Sequence, residues 1–468
     1  MSQKILLTPR EMMGSLESED IVQATEGKVL CGTVEKFSGL SIDSRNIREG
    51  ELFVALRGEN FDGHDFVSAA LIKGTGALVQ FPPAEIPGNR TVILVENTLT
   101  ALQDLAHYLR SRMALPVVGV TGTNGKTTTK ELISSILGQR QKVLKTTGNL
   151  NNHIGLPLCI CRMDGDEDVM VLEMGSNRPG DIKQLYEIAE PEFSVITNVG
   201  PAHLEGFGSL EAVRDTDLEI LAYADVASVN ADDMFLLEGI KNYHGRLITY
   251  GLKNAADVTA KDIMLGTRGS GFRLCFSDKR RIAVNLQLSG MFNIYNALAA
   301  ASVADALGAG LDDIKNGLES FGGVPMRLEV KEMFGAVVIN DVYNANPASA
   351  EEALKELVRL KRKRTIAVLG DMLELGSYAE EAHKNLVRLA SDLKIDVLVA
   401  VGPEMGRASG EFKGTCYQAE NSLSARTIVL SIRNEGDAIL IKGSRGMRME
   451  RVLQEADQTG SGGEEHAL

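Results

Sequence analysis

Cysteine, positive charge and long apolar runs are all scarce in this chain of 468 residues, and each shortage excludes a class of protein. The five cysteines are odd in number and widely scattered, so we expect no disulfide framework and a reducing compartment. Lys and Arg number 49 against 63 Asp and Glu, and this net charge of -14 argues against a nucleic-acid coat. No run of about 18 apolar residues and no signal-peptide core occurs, so we expect a soluble, cytoplasmic protein.

The rest of the composition is that of an ordinary globular protein, with 44% hydrophobic and 24% charged residues. Small molecules are therefore the expected partners, and an anionic substrate would need local basic groups that act against the overall negative charge. The pair Cys159 and Cys161 has no second pair or histidine at zinc-finger spacing, so we expect buried or half-buried thiols there.

Strand and helix patterns alternate along most of the chain and predict an α/β protein. Runs such as "VVGVT", "DVMVLEM" and "FSVITNV" are typical of buried strands of a parallel sheet, and a second such series begins after residue 328. The sequence predicts helices at residues 7–16, capped by Thr8, and at residues 447–456. The predicted units are a small α/β domain, a central parallel-sheet domain, a Rossmann-like domain and a disordered tail, at residues 1–113, 114–327, 328–456 and 457–468.

A glycine-rich loop with the sequence "GVTGTNGKTTTK" (residues 119–130) predicts a nucleotide site. The strict pattern G-x-x-x-x-G-K-[ST] fails because Val120 stands where the first glycine is expected. A buried strand still precedes the loop, Gly122 and Gly125 allow the turns, and a helix follows, so backbone N–H groups can converge on a phosphate. Lys126 can neutralise phosphate charge, and the Thr127 hydroxyl can bind Mg²⁺.

This loop resembles the ATP loop of the Mur ligases, the enzymes that build the peptide of bacterial cell-wall precursors. The stretches "TTGNLNNHIGLPL", "EMGSNRPGDI", "ITNVGPAHLEGFGSLE" and "VYNANPASAEEAL" also resemble that family. The matches run in order from "SIDSRNIREGELF" to "LIKGSRGMRMERV" and cover nearly the whole chain. They most resemble the branch that joins D-alanyl-D-alanine to UDP-N-acetylmuramoyl-tripeptide.

The resemblance implies an ADP-forming ligase of peptidoglycan synthesis, with ATP and Mg²⁺ as cofactors and a monomeric state. A substrate carboxylate would attack the γ-phosphate of ATP, and the dipeptide amine would displace phosphate from the resulting acyl phosphate. Because this reaction brings anions together, positioning and charge stabilisation would do most of the work. The three domains would then close around the substrates and exclude water.

The resemblance also implies roles for individual residues. Glu173 ends a predicted strand, at the edge where such sheets bind ligands, and is expected to hold Mg²⁺. The implied catalytic residues are Lys126, Glu173, His203 and Asp217. The implied metal ligands are Thr127, Glu173, His203 and Asp217. The implied ATP contacts are Gly122, Thr123, Asn124, Gly125, Lys126, Thr127, Thr128, Asn293, Asn296, Arg327 and Asp341. The implied substrate contacts are Ser44, Arg45, Asn149, Asn152, His153, Asn344, Asn346, Lys442, Ser444 and Arg445.

The chain departs from the family at two positions. The family commonly has a carboxylated lysine where this chain has Asp217, and no lysine occurs between Lys183 and Lys241. We hypothesise that the Asp217 carboxylate replaces the charge of the carbamate and, because its side chain is shorter, reaches the metal ion through a water molecule. The alternative is that Asp217 is solvent-exposed and that the metal ion is bound less tightly. The family often has a histidine where this chain has Phe292, which could stack on the adenine or pack in the core.

Three other functions stay open at this point. A sister branch adds the third amino acid to the same precursor, but its D-[ND]-P-R signature is absent here. Folate-polyglutamate ligases share the loop but usually lack the first domain. A non-catalytic nucleotide-binding module is the third alternative, and the presence of Lys126, Thr127, Glu173 and His203 argues against it.

Overall fold

Three sheets follow one another along the chain, and each forms the centre of an α/β unit. The computed structural model describes residues 16–454 except 59, 334 and 361. We call the units first, central and last; their main sheets lie within residues 28–94, 117–286 and 329–442. The predicted α/β fold class is confirmed, whereas the domain boundaries at 113/114 and 327/328 stay predictions. The predicted helix at residues 7–16 and the tail at 457–468 lie outside the described residues, except for Leu16, which begins a strand.

The first unit has a five-stranded sheet that is parallel except for one edge strand. Its strands, in spatial order, are Lys28–Cys31, Thr91–Leu94, Gly76–Val79, Glu51–Val54 and Gly39–Ser41. The helical segments are Ser18–Thr25, Gly63–Phe66 (3₁₀), Val67–Lys73 and Thr98–Ser111. A separate antiparallel pair joins Leu16–Glu17 to Lys36–Phe37.

The central unit has a nine-stranded sheet, in which seven neighbouring strands are parallel and the last two add an antiparallel edge. Its strands, in spatial order, are Arg281–Leu286, Ser270–Phe276, Val258–Leu265, Arg246–Tyr250, Val226–Asn230, Phe193–Ile196, Val117–Thr121, Val169–Glu173 and Val143–Lys145. The helical segments are Lys126–Leu137, Gly155–Ile160, Asp181–Ala189, Leu204–Phe207, Leu210–Leu218, Glu219–Leu221 (3₁₀), Met234–Gly239, Met291–Ala306 and Leu311–Ser320.

The last unit has a six-stranded sheet, parallel except for its first strand. Its strands, in spatial order, are Glu329–Met333, Ala336–Asp341, Ala438–Lys442, Thr365–Gly370, Val397–Val401 and Thr415–Ala419. The helical segments are Pro347–Arg359, Gly376–Tyr378 (3₁₀), Ala379–Asp392, Pro403–Ala408, Ser409–Glu411 (3₁₀), Ser422–Ile432, Arg445–Met447 (3₁₀) and Met449–Leu453 (3₁₀).

The central strands are buried on both faces, which explains their continuous apolar runs. Val118 and Val171 pack with the helices Lys126–Leu137 and Met291–Ala306 in one core. The neighbouring Val117, Met170 and Leu172 point the other way, into a core shared with the first unit and its helix Thr98–Ser111. The first and central units are therefore joined by a continuous apolar core.

Two expectations about secondary structure were incomplete. The helix predicted at residues 447–456 is wrong over the described part, where two short 3₁₀ turns flank Arg448, whose φ of 51° interrupts a regular helix. The antiparallel strands Ser270–Phe276 and Arg281–Leu286, whose buried and exposed residues alternate, were not predicted. Cys159 and Cys161 are buried free thiols, as predicted. Among the described helices, none has the length and apolar character needed to cross a bilayer.

Candidate active site

The glycine-rich loop joins the strand Val117–Thr121 to the helix Lys126–Leu137, as its sequence predicts. Gly122 and Gly125 have φ values of 121° and 85°, a region that other residues rarely adopt. A Cβ on Gly125 would lie 2.3 Å from Asn296 Oδ1, so a side chain there would collide with the helix Met291–Ala306. The glycines thus let the loop turn tightly. The N–H groups of Thr123 and Asn124 donate to Asn198, at 2.8 Å and 3.1 Å, so the N–H groups left for a phosphate are those at the start of the helix Lys126–Leu137.

The loop forms one wall of a cavity of about 830 Å³ between the central and last units. The carboxyl ends of strands from both sheets reach this cavity: Glu173 ends a central strand, and Asp341 and Lys442 end adjacent strands of the last sheet. Ligands in such sheets bind at this edge. The predicted residues that line the cavity are Thr123, Asn124, Gly125, Lys126, Thr127, Thr128, Asn149, Asn152, His153, Glu173, His203, Asn293, Asn296, Arg327, Asp341, Asn344, Asn346, Lys442, Ser444 and Arg445.

Lys126 folds back over its own loop. Its Nζ donates to the carbonyl oxygens of Gly122 at 2.5 Å and Thr123 at 3.3 Å. Burial lowers the pKa of Lys126, and the carboxylates of Glu173 and Asp217 partly offset that effect. The ammonium group is therefore held by two carbonyl oxygens near two carboxylates, at the place where a phosphate would need a counter-charge.

Glu173 has a carboxylate oxygen without a hydrogen-bond partner. The residue is only 2% exposed, its Oε1 accepts from Asn151 Nδ2 at 2.8 Å, and its Oε2 finds no donor among the described residues. A buried carboxylate oxygen without a partner is costly unless a cation completes its environment. Thr127 and His203 line the same cavity, so hydroxyl, carboxylate and imidazole groups are available for a divalent cation. These residues fit a Mg²⁺ ion.

His203 faces the last unit. Its Nδ1 contacts the carboxylate of Glu374, and the hydrogen bond lowers the pKa of that carboxyl. Next to this pair, the backbone N–H of Glu205 donates to the Glu374 carbonyl oxygen at 3.1 Å. Sequence reasoning missed Glu374, because its neighbour across the cavity is 171 positions away along the chain.

Asp217 lies behind the glycine-rich loop and does not line the cavity. It is 2% exposed, and its Oδ1 accepts from the Thr121 hydroxyl at 2.9 Å. The alternative of a solvent-exposed Asp217 is therefore wrong. Burial raises the pKa of Asp217 to about 6, although Lys126 and the hydrogen bond from Thr121 act in the opposite direction. Gly122 likewise shapes the loop without lining the cavity.

Two asparagines mark the side of the cavity where the resemblance expects adenine. Asn296 Nδ2 donates to Asn293 Oδ1 at 3.2 Å, and Asn293 Nδ2 donates to the Ser289 carbonyl oxygen at 2.8 Å. Phe292 is only partly buried and lines the cavity, which favours stacking over a core role. Sequence reasoning missed Tyr295, which also lines this side and donates to Asp232 at 2.7 Å.

The last unit presents a buried ion pair to the cavity. Lys442 Nζ lies 2.5 Å from Asp341 Oδ2 and also donates to the Asn344 carbonyl oxygen at 2.9 Å. The two side chains are 3% and 8% exposed, so each depends on the other for its charge. Arg327 lies 4.1 Å from the ring centre of Tyr343, a cation–π contact that orients the guanidinium. Tyr343 is another residue that sequence reasoning missed, although it stands beside Asn344.

Ser444 and Arg445 lie on the loop that follows the last strand. Ser444 Oγ accepts from the Leu373 backbone N–H at 2.8 Å, and the Arg445 backbone N–H donates to Asn344 Oδ1 at 3.3 Å. These bonds tie three loops of the last unit into one wall of the cavity.

A second cavity of about 630 Å³ lies between the first and central units. Asn149 and Asn152 line both cavities, so the two spaces adjoin. Asn152 Oδ1 also accepts from the N–H groups of Ile154 at 3.1 Å and Gly155 at 2.8 Å, just before the helix Gly155–Ile160. His153 lines only the larger cavity.

The predicted pair Ser44 and Arg45 lines neither cavity. The Arg45 guanidinium instead pairs with Asp43, at 2.9 Å and 3.0 Å, and Asp43 does line the smaller cavity. The loop that contains Ser44 and Arg45 therefore reaches the smaller cavity through Asp43 and Asn46, and not through the two residues that the resemblance implies.

Three domain models of one family match the chain in order. They are the Mur ligase family catalytic domain at residues 36–110, the Mur ligase middle domain at 120–304 and the Mur ligase glutamate ligase domain at 326–445. Each match falls within one of the three structural units.

The relatives extend over nearly the same length. The UDP-N-acetylmuramoyl-tripeptide–D-alanyl-D-alanine ligase of Bacillus subtilis is 36% identical over 428 residues, which cover 89% of this chain and 92% of that protein. The crystal structure of MurF from Acinetobacter baumannii is 31% identical, with a TM-score of 0.87 and coverage of 94% of this chain and 98% of that one. The MurF ligase of Thermotoga maritima in complex with ADP is 32% identical, with a TM-score of 0.78 and coverage of 89% and 96%. This chain belongs to the Mur ligase family.

Proposed function

We propose that this chain is the ATP-dependent ligase that joins D-alanyl-D-alanine to UDP-N-acetylmuramoyl-tripeptide. The names of its full-length relatives support this reaction over the sister reaction that adds the third amino acid. The central observation is that one cavity contains both the glycine-rich loop and the loops of the last unit. A nucleotide and a second substrate can therefore meet in one space.

The glycine-rich loop is the phosphate site in this proposal. Its backbone N–H groups and Lys126 bind the phosphates of ATP, and Arg327 neutralises charge on the γ-phosphate from the last unit. Asn293 and Asn296 bind the adenine through amide groups, which offer both a donor and an acceptor. Asp341 contacts the ribose. The remaining loop contacts are Thr123, Asn124, Gly125, Thr127 and Thr128, whereas Gly122 shapes the turn behind them.

The reaction proceeds in two steps. A tripeptide carboxylate oxygen attacks the γ-phosphorus, which forms an acyl phosphate and releases ADP. The free amine of D-alanyl-D-alanine then attacks the acyl carbon, forms the amide and expels inorganic phosphate. Lys126 and Arg327 stabilise the charge that collects between carboxylate and triphosphate, so positioning accounts for most of the rate enhancement.

Thr127, Glu173 and His203 would hold Mg²⁺, which supplies further neutralisation of phosphate charge. The unpartnered Oε2 of Glu173 is the observation that supports this assignment. The Asp217 carboxylate lies behind the loop, where it favours the positive charge of Lys126. We propose that it replaces the negative charge of the family's carbamate without contacting the metal ion directly.

The two adjoining cavities suit a long substrate. The smaller cavity would hold the UDP-sugar, and the asparagines shared by both cavities would direct the peptide towards the γ-phosphate. Ser44 and Arg45 stay candidates for binding the diphosphate of the UDP-sugar, which requires the Arg45 guanidinium to break its ion pair with Asp43. On the side of the larger cavity formed by the central unit, the tripeptide contacts would be Asn149, Asn152 and His153. On the side formed by the last unit, the dipeptide contacts would be Asn344, Asn346, Lys442, Ser444 and Arg445.

Phosphate release from ATP tests the proposal. We expect release only when UDP-muramoyl-tripeptide and D-alanyl-D-alanine are both present, with a preference for one of the two tripeptide forms, ending in lysine or in diaminopimelate. Release with a free amino acid and UDP-muramoyl-dipeptide would favour the sister reaction, and nucleotide binding without turnover would favour a non-catalytic module. We further propose a cytoplasmic monomer, which sedimentation of the purified chain would test.

A further inference from the structure

Glu374 lies outside the proposed machinery and contacts it through His203. It lies in the loop between the strand Thr365–Gly370 and the 3₁₀ turn Gly376–Tyr378, and its carboxylate contacts His203 Nδ1 of the central unit. Both partners have left-handed backbones, with φ of 64° at Glu374 and 51° at His203. Neither is glycine, so each pays a conformational cost that the surrounding contacts must offset.

The loop that carries Glu374 is fixed by three contacts within and across the units. The Met372 N–H donates to His383 Nε2 at 2.9 Å, and the Leu373 N–H donates to Ser444 Oγ at 2.8 Å. The Glu374 carbonyl oxygen accepts from the Glu205 N–H at 3.1 Å. These bonds hold the Glu374 carboxylate in place beside the imidazole.

The contact determines which nitrogen of His203 is free. An ionised carboxylate can only accept a hydrogen bond, so Nδ1 of His203 must carry the hydrogen that Glu374 accepts. In a neutral imidazole the other nitrogen, Nε2, then has the lone pair that a metal ion requires. His203 lines the cavity, and its Nε2 makes no hydrogen bond to any described residue.

We propose that Glu374 is a positioning residue that holds His203 in the Nδ1–H tautomer and directs Nε2 towards a divalent cation. The proposal rests on the assignment of His203 as a metal ligand under the proposed function. Because Glu374 belongs to the last unit and His203 to the central unit, the metal site is complete only when the two units are in contact. Cation affinity and closure of the cavity are therefore linked.

Direct Mn²⁺ binding to the full chain tests this role, measured by electron paramagnetic resonance with a non-hydrolysable ATP analogue present. The relevant site is the Mn²⁺ site whose affinity His203→Ala weakens but, with Thr127 and Glu173 still present, does not abolish. We expect Glu374→Gln to weaken that site by about tenfold or more, as loss of an orienting partner does elsewhere. Glu380→Gln is the matched control, since Glu380 pairs with Lys384 on the surface, and it should leave Mn²⁺ affinity unchanged.

A glycine variant separates positioning from a general structural role. Glu374→Gly removes the carboxylate but relieves the left-handed backbone, so we expect weaker Mn²⁺ binding together with an unchanged or higher melting temperature. A melting temperature that falls together with Mn²⁺ affinity in this variant would overturn the positioning role.

A double-variant cycle distinguishes orientation from direct ligation. If Glu374 acts through His203, Glu374→Gln should have no further effect on Mn²⁺ binding in the His203→Ala background. Unchanged Mn²⁺ affinity in Glu374→Gln alone, or an equal loss with and without His203, overturns the proposal. A wild-type chain that binds Mn²⁺ as described but ligates no dipeptide would overturn the proposed function and leave this inference standing.

Discussion

The side-chain amides of Asn124 and Asn346 exchange hydrogen bonds across the boundary between the central and last units. Asn346 Nδ2 donates to Asn124 Oδ1 at 2.9 Å, and Asn124 Nδ2 lies 3.4 Å from Asn346 Oδ1. Asn124 belongs to the glycine-rich loop, and Asn346 caps the helix Pro347–Arg359 by accepting from the Ser349 N–H at 2.9 Å. The proposed phosphate loop is thus tied directly to a helix of the dipeptide side.

This relationship predicts that Asn346→Ser separates the two roles of the side chain. Serine still caps the helix but is too short to reach Asn124, so we expect an almost unchanged melting temperature and ATP affinity weaker by about fivefold, the equivalent of about 1 kcal/mol. Asn346→Ala should also lose about 1 kcal/mol of stability, because the cap is gone. Titration of ATP and thermal unfolding measure the two effects, and unaltered ATP affinity in Asn346→Ser would speak against the interdomain role.

Lys126→Met should reduce ATP turnover by about a hundredfold or more, because the charge that offsets the transferring phosphate is lost. The measurement is steady-state phosphate release with both proposed substrates. Lys183→Met is the control, since Lys183 is an exposed lysine on the helix Asp181–Ala189 and should retain full turnover. Equal turnover in the two variants would remove Lys126 from the mechanism.

Glu173→Gln should raise the Mg²⁺ concentration needed for half-maximal turnover by about tenfold or more, because a neutral amide replaces the proposed ligand. The stability of the cation-free protein should change little, because a buried polar atom without a partner is present at this position in both side chains. Mg²⁺ titration and thermal unfolding measure the two properties. Glu187→Gln, an exposed change, is the control, and an unchanged Mg²⁺ requirement in Glu173→Gln would contradict the metal role.

Asp217→Asn should stabilise the cation-free protein at neutral pH but much less at pH 4. Burial raises the folded-state pKa of Asp217 from 3.8 to about 6, so the folded state favours the protonated carboxyl. The unfolding free energy of the wild type therefore falls as pH rises from about 4 to about 6, and then levels off; the total is on the order of 3 kcal/mol. The asparagine side chain does not titrate, so the unfolding free energy of Asp217→Asn lacks this pH dependence.

Urea unfolding at pH 4.5 and pH 7 measures the predicted difference between Asp217→Asn and wild type. Asp215→Asn serves as the control because Asp215 is exposed on the same helix and pairs with Arg214. A stability difference between wild type and Asp217→Asn that is the same at both pH values would show that burial does not set the charge of Asp217.

Local signals allowed much of the fold to be predicted. Valine-rich strands, glycines with positive φ and an adjoining helix identify the phosphate loop without reference to distant residues, and the structure places Gly125 where only glycine fits beside Asn296. The antiparallel strands Ser270–Phe276 and Arg281–Leu286 were not predicted, although their alternation of buried and exposed residues was a signal that could have identified them.

Contacts between units could not be predicted in the same way. Glu374 and Tyr343 reach the cavity only because the last unit packs against the central one, and no spacing in the sequence encodes that distance. Asp217 was identified because it stands where the family commonly has a carboxylated lysine. Its burial behind the loop could not be predicted, because it depends on the helix Leu210–Leu218 and on Thr121. Arg45 was selected by motif, whereas its contact with Asp43 follows from the local turn.

The most direct test of the account follows an oxygen atom. UDP-muramoyl-tripeptide labelled with oxygen-18 in its reacting carboxylate is incubated with the chain, Mg-ATP and D-alanyl-D-alanine, and the released phosphate is examined by mass spectrometry. Carboxylate attack on the γ-phosphorus predicts one labelled oxygen in each phosphate, since the amine expels the C–O oxygen together with phosphorus. Phosphate without label, released while the pentapeptide forms, would contradict the acyl-phosphate mechanism.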